Sequence, residues 1–93
     1  MRLMLKFTIP VEKGNEAAAD GTIGPAIEEL IEKVQPEAAY FMVEEGKRAG
    51  IVIFQESDQA RMTMINEPLF AKLNASITTI PVLTLDDLKK GLP

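Results

Sequence analysis

The sequence predicts an α+β domain built in the order strand, helix, strand, strand, helix, strand, with a short helix after the last strand. Three observations carry that reading. The run Gly50-Ile51-Val52-Ile53-Phe54 offers no polar side chain to either face of a strand, so both faces of that strand must be covered. Three other segments alternate apolar with polar residues at the period of two that marks a half-buried strand. Between the first two of them, Ile27, Leu30, Ile31 and Val34 form an apolar stripe at helical spacing.

From Arg2 to Ile9, Leu3, Leu5, Phe7 and Ile9 share one face and Arg2, Met4, Lys6 and Thr8 the other, and Pro10 ends this first strand. The stretch Glu12 to Gly21 is expected to be a long polar loop, because Gly14-Asn15 and Asp20-Gly21 are pairs that tolerate positive φ. Gly24-Pro25 opens the first helix, since the missing proline N–H has no partner in a first turn, and Pro36 stops it. The second strand, Ala38 to Glu45, sets Ala39, Phe41 and Val43 against Tyr40, Met42 and Glu44, and Gly46-Lys47 turns it into the apolar third strand as a hairpin. Ser57 or Asp58 is expected to cap the next helix, which carries Met62 and Ile65. Asn66-Glu67-Pro68 should interrupt it before a further turn in which Leu69, Phe70 and Leu73 face inward. Ala75 to Leu83 reads as the fourth strand, and Pro81, which cannot donate to a ladder, places it at a sheet edge. Thr84 caps the terminal helix, with Asp86 and Asp87 in its first turn complementing the helix dipole and Gly91 ending it.

Right-handed crossovers applied to this order give a four-stranded antiparallel sheet in the order 4-1-3-2, with both long helices on one face, the ferredoxin-like arrangement. The helix-covered face is dry. On the other face, whichever of the pairs Ile51/Ile53 and Val52/Phe54 points there joins Met4, Tyr40 and Met42 in an apolar patch. A patch of that kind calls for a partner, and a self-complementary two-fold contact is the commonest solution. The expected form is therefore a homodimer, two sheets closing into an α/β barrel.

The 93 residues make one domain, 1–93, with no internal repeat. A formal charge of −4 argues against a nucleic-acid partner, because phosphate binding needs clustered Lys and Arg, and Lys47-Arg48 is only a turn. The opening Met1–Lys6 has charge returning at Lys6 and reads as a strand, not a signal peptide. No apolar run approaches the ~20 residues that span a bilayer, so no membrane partner is expected. Cysteine is absent, which suits a reducing compartment and makes the cytoplasm the expected location. Histidine and tryptophan are absent as well, and no catalytic constellation stands out.

The chain resembles the dimeric α/β-barrel superfamily, in which two ferredoxin-like subunits pack sheet against sheet. The likeness spans nearly the whole domain and is architectural. Its sharpest local echo is Glu67-Pro68-Leu69-Phe70-Ala71-Lys72-Leu73 running into a fourth strand, which looks like the muconolactone-isomerase-like branch, where a Pro-Leu-Phe turn holds a similar place. That superfamily also includes small monooxygenases and haem-degrading enzymes. This chain has no histidine to ligate haem or to assist acid–base chemistry, so no cofactor is expected.

If the second sheet face lines a space inside a dimer, its polar members are Arg2, Lys6, Thr8, Tyr40 and Glu44. Lys6, Tyr40, Met42 and Glu44 are the candidate ligand-binding residues, for a small apolar or aromatic molecule. The plainer reading pairs Arg2 and Lys6 with acidic residues on neighbouring strands and leaves the Tyr40 hydroxyl at the rim. The alternative from the enzyme class is a cofactor-independent isomerase or monooxygenase acting on a small cyclic substrate, with Tyr40, Glu44 and Lys6 contributing. A third reading is an interaction module with the face packed solid. Glu12, Asn15, Glu16 and Asp20 lack the spacing of a calcium loop, and Asp86-Asp87 diverge by about 100° on a helix, so no metal site is expected. The segment Glu12 to Thr22 is instead a candidate lid.

Overall fold

The computed structural model describes residues 1–93. Its elements are β1 (Arg2–Ile9), α1 (Val11–Ala19), α2 (Ile23–Val34), β2 (Ala38–Glu44), β3 (Lys47–Gln55), α3 (Arg61–Leu73), β4 (Ser76–Pro81) and α4 (Leu85–Lys90). The four strands form one antiparallel sheet in the order β2-β3-β1-β4, which read from the β4 edge runs 4-1-3-2. The arrangement is ferredoxin-like, with α1 added in the first crossover and α4 appended.

Parity places the core. Leu5, Phe7 and Ile9 of β1 and Val52 and Phe54 of β3 point to the helical side, where they meet Ala17 of α1, Ala26, Leu30 and Val34 of α2, and Ile65, Leu69 and Leu73 of α3. Ile51 and Ile53 therefore take the other face. At the centre, Phe7 lies opposite Gly50 in the β1–β3 register. A Cβ at Gly50 would sit 2.6 Å from Cε1 and Cζ of the Phe7 ring and 3.0 Å from Cδ1 of Phe41, so only glycine lets both rings cross the strand there. The β2–β3 hairpin turns through Glu45 and Gly46, both at positive φ, the backbone twist that two-residue hairpins favour.

Three sequence expectations are corrected. The segment Glu12 to Gly21 is not a loop or a lid: Val11–Ala19 is a helix packed on the sheet. Gly14 is buried beside Arg48 of β3, whose Nη1 donates to Asn15 Oδ1 at 3.1 Å, and a Cβ at Gly14 would press only on the flexible guanidinium end.

The second correction concerns Pro68, which does not interrupt its helix, because α3 is continuous from Arg61 to Leu73. Proline removes the hydrogen bond that the Met64 carbonyl would accept, and Lys33 Nζ of α2 supplies a donor to that carbonyl at 3.2 Å. Phe70 is 42 % exposed and not inward-facing, so the Pro68-Leu69-Phe70 segment is helix interior and not a turn. Third, neither Ser57 nor Asp58 is the cap of that helix. Asp58 Oδ1 accepts from the Ala60 N–H at 2.9 Å in a turn just ahead of it, and Ala60 is the capping position.

The hairpin tip and α4 lie at opposite ends of the sheet, and the longest dimension reaches 52 Å. The radius of gyration of 14.5 Å exceeds the ~12 Å of a rounded chain of this length. No residue of α4 is buried.

Replacing Gly50 by alanine should destabilise the fold by about 1–3 kcal/mol through overpacking against Phe7, read as a lower denaturant midpoint at unchanged m-value. Lys33→Met should cost about 0.5 kcal/mol, because water replaces the donor at the exposed Met64 carbonyl while Glu29 loses one of its two cations, and the same titration checks it.

Candidate functional site

The sheet face opposite the core carries no helix. Its paired rows are set by register: Ala38, Ile53, Met4 and Ile80 in one, Tyr40, Ile51, Lys6 and Thr78 in the next, then Met42, Ala49, Thr8 and Ser76. The middle of the face is apolar, with half-buried Met4, Ile51 and Ile53, and its hairpin end is polar.

All four candidate ligand residues stand on this face. Lys6 Nζ reaches across β3 and forms an ion pair with Glu44, so a cation from β1 and an anion from β2 neutralise each other. Tyr40 is 66 % exposed at the edge strand, beside Ile51, and Met42 is half-buried in the following row. A groove of about 310 Å³ runs along the β1–β4 side between Met4, Lys6, Thr8, Glu44 and Thr78. Lys6 and Glu44 line that groove, whereas Tyr40 and Met42 lie outside it. In chemical terms it offers the Lys6–Glu44 ion pair, hydroxyls, a thioether and, at the hairpin end, Glu45 and Lys47, which form no ion pair.

Arg2, at the other end of the same face, donates from Nε to Glu37 at 2.6 Å and from Nη1 to Asp87 at 3.2 Å. The hydrogen bond to Glu37 foremost, with the charges of Glu37 and Asp87, raises the guanidinium pKa above its ordinary value. These bonds tie α4 to the sheet. The Thr84 hydroxyl accepts from the Asp87 N–H at 3.1 Å and Asp87 Oδ2 accepts from the Thr84 N–H at 3.3 Å, a reciprocal capping box.

A larger cleft, about 580 Å³, opens on the helical side between α3 and the β1–β4 edge, and the sequence reading missed it. Leu3 and Met62 supply apolar wall, and Ser57, Gln59, Asn66 and Thr79 supply polar wall. Glu56 also borders it, but its carboxylate is occupied: Oε1 accepts from Arg61 at 2.6 Å and Oε2 from the N–H groups of Ser57 and Asp58, each at 3.1 Å. Asn66 Oδ1 and Thr79 Oγ1 are buried with no hydrogen-bond partner. A signal for these two existed in the chain. Asn66 interrupts the inward stripe Met62, Ile65, Leu69 and Leu73, and Thr79 lies opposite buried Leu5.

No three His, Cys, Asp or Glu side chains converge on one point, and no helix is long and apolar enough to cross a membrane. The chain matches no family model, and no curated protein matches it.

The capping box gives a pH dependence with a definite sign. Hydrogen bonds from the Thr84 backbone first, then from Thr84 and the nearby cations, hold Asp87 below its ordinary value of 3.8. A depressed carboxyl pKa contributes stability that is present above the unfolded value and lost as pH falls through the folded one. The Leu88 amide, which donates to the Thr84 carbonyl, should stay protected from exchange at about pH 5 and lose protection below about pH 4. In Asp87→Asn that step should vanish.

Proposed function

We propose that two copies of this chain pack open face to open face as a homodimeric α/β barrel, whose lumen takes a small apolar or aromatic molecule. The observation that carries the reading is the helix-free sheet face with its apolar middle of Met4, Ile51 and Ile53, flanked by exposed Tyr40 and Ile80. Left in water, that face would forgo about 25 cal/mol for every Å² of apolar surface that a second copy could cover. Further exposed leucines at 83, 85, 88 and 92 in the C-terminal segment add to the apolar surface available for association. Membership of the dimeric α/β-barrel superfamily belongs to the same proposal, and its muconolactone-isomerase-like branch is carried by the Pro68-Leu69-Phe70 sequence alone, since that segment is helix and not a turn. A reducing compartment such as the cytoplasm suits a chain without cysteine.

The Lys6–Glu44 pair supports an uncharged ligand over a charged one, because each group already satisfies the other. The same pairing withdraws Lys6 and Glu44 as free acid or base for a cofactor-independent isomerase or monooxygenase, whereas Glu45 and Lys47 of the same groove form no ion pair. That enzyme reading would regain its place if an activity on a small cyclic substrate were lost in both Tyr40→Phe and Glu44→Gln. An interaction module with a solidly packed interface is the remaining alternative, and a dimer that takes up no small aromatic probe would favour it.

The test is absolute mass by light scattering across dilution. The expected value is twice the 10.2 kDa chain mass, reduced to the monomer in Ile53→Lys with its circular dichroism intact. A wild-type chain that stays monomeric at every concentration overturns the barrel.

A further inference from the structure

We infer that the cleft between α3 and the β1–β4 edge is a second binding site, on the opposite side of the sheet from the proposed lumen, for a small uncharged carboxamide or lactam. Its volume of about 580 Å³ lies within the ~300–1,000 Å³ that small-molecule sites occupy. Volume alone decides nothing; what the wall leaves unsatisfied does. Asn66 Oδ1 and Thr79 Oγ1 are both buried and both without a protein partner, in two residues that line this one cleft from α3 and β4. Buried polar atoms are nearly always paired, since an unpaired one costs roughly 1–3 kcal/mol. Both atoms are closed to water in the free protein, so a ligand in the cleft meets them only as the side chains of its wall give way.

The chemistry of the two atoms selects the ligand. Asn66 Oδ1 has only lone pairs and needs a donor; the Thr79 hydroxyl has a proton to give and needs an acceptor. A carboxamide, or a ring lactam, presents N–H and C=O side by side and meets both needs. Charge is disfavoured at this site. Glu56 is spent on Arg61 and two backbone N–H groups, so the wall offers no free carboxylate, and the α-ammonium of Met1 donates to the Glu56 carbonyl at 3.3 Å. Leu3 and Met62 provide the apolar surface for the ring, and the unbranched Met62 side chain re-packs at low cost to admit it.

The experiment is a ¹⁵N-resolved NMR titration of the full chain with 2-pyridone and nicotinamide, using benzoate as a charged control and toluene as an apolar one. Saturable shifts of the Asn66 side-chain amide and the Thr79 backbone amide are expected with the two amides and not with the controls. Thr79→Val should leave the ligand-free thermal midpoint unchanged or raise it, because an unpartnered hydroxyl is replaced by a methyl group, while weakening binding tenfold or more; Thr79→Ser should restore binding. Absence of a saturable shift in the wild-type cleft overturns the site. So do equal shifts with benzoate, and so does a Thr79→Val variant that loses stability, since its hydroxyl must then already be satisfied by ordered water. Shifts confined to Tyr40 and Met42 would place binding in the lumen and leave the cleft without a ligand. Failure of the cleft and failure of the barrel are thus read at different residues.

Discussion

The crossing of Phe7 over Gly50 in the β1–β3 register is the constraint on which the rest of the structure depends. These two strands hold the middle of the sheet, and their pairing decides the direction of every side chain in it. With Phe7 seated on a residue that has no side chain, Leu5, Val52 and Phe54 are committed to the helical core. Met4, Ile51 and Ile53 are then committed to the opposite face. A slip of one residue would bury Lys6 and expose Phe7, so the register is held by both the apolar gain and the cost of a buried cation.

The helices are joined by a few long cationic side chains. Lys33 bridges α2 to α3 by donating to the carbonyl that Pro68 leaves free, and Glu29 of α2 takes both Lys33 at 2.9 Å and Lys72 of α3 at 2.8 Å. These two ammonium groups, Lys72 first, hold the Glu29 carboxyl below its ordinary pKa. Arg61, at the other end of α3, donates to the Lys33 carbonyl at 2.8 Å and so meets an otherwise unpaired acceptor in the last turn of α2. With α3 held in this way, Asn66 is presented toward the β1–β4 edge. The clamp that makes the proline tolerable also shapes the wall of the helical-side cleft.

Both faces of the sheet show the same electrostatic habit. Lys6 with Glu44, Arg2 with Glu37 and Asp87, and Arg61 with Glu56 are all matched pairs or triads. Glu45 and Lys47 at the hairpin end and the Met1 ammonium beside the cleft stand outside these pairs. The paired and neutral groups, on which both proposals rest, recognise by shape, apolar contact and hydrogen bonding.

The sequence by itself determined the four strands, the hairpin, the long second helix and the capped terminal helix, because each depends on local periodicity or turn chemistry within a few residues. It also determined that one sheet face would be left apolar at its middle, since Gly50–Phe54 has no polar residue to give it. It placed Lys6, Tyr40, Met42 and Glu44 on that face by parity alone. Tertiary structure decided the rest. Gly14-Asn15 reads locally as a turn but lies in a helix that buries Gly14 and Ala17, and Pro68 reads as a break but lies in a helix that buries Ile65, Leu69 and Leu73. The cleft at Asn66 and Thr79 depends on bringing together residues from α3 and β4 whose polarity looks unremarkable in the chain. Local signals report what a segment prefers in isolation, whereas burying a helix's apolar stripe, Ile65, Leu69 and Leu73 in α3, contributes about 1.5–3 kcal/mol for each large side chain, enough to outweigh the ~3 kcal/mol that a proline costs inside a helix.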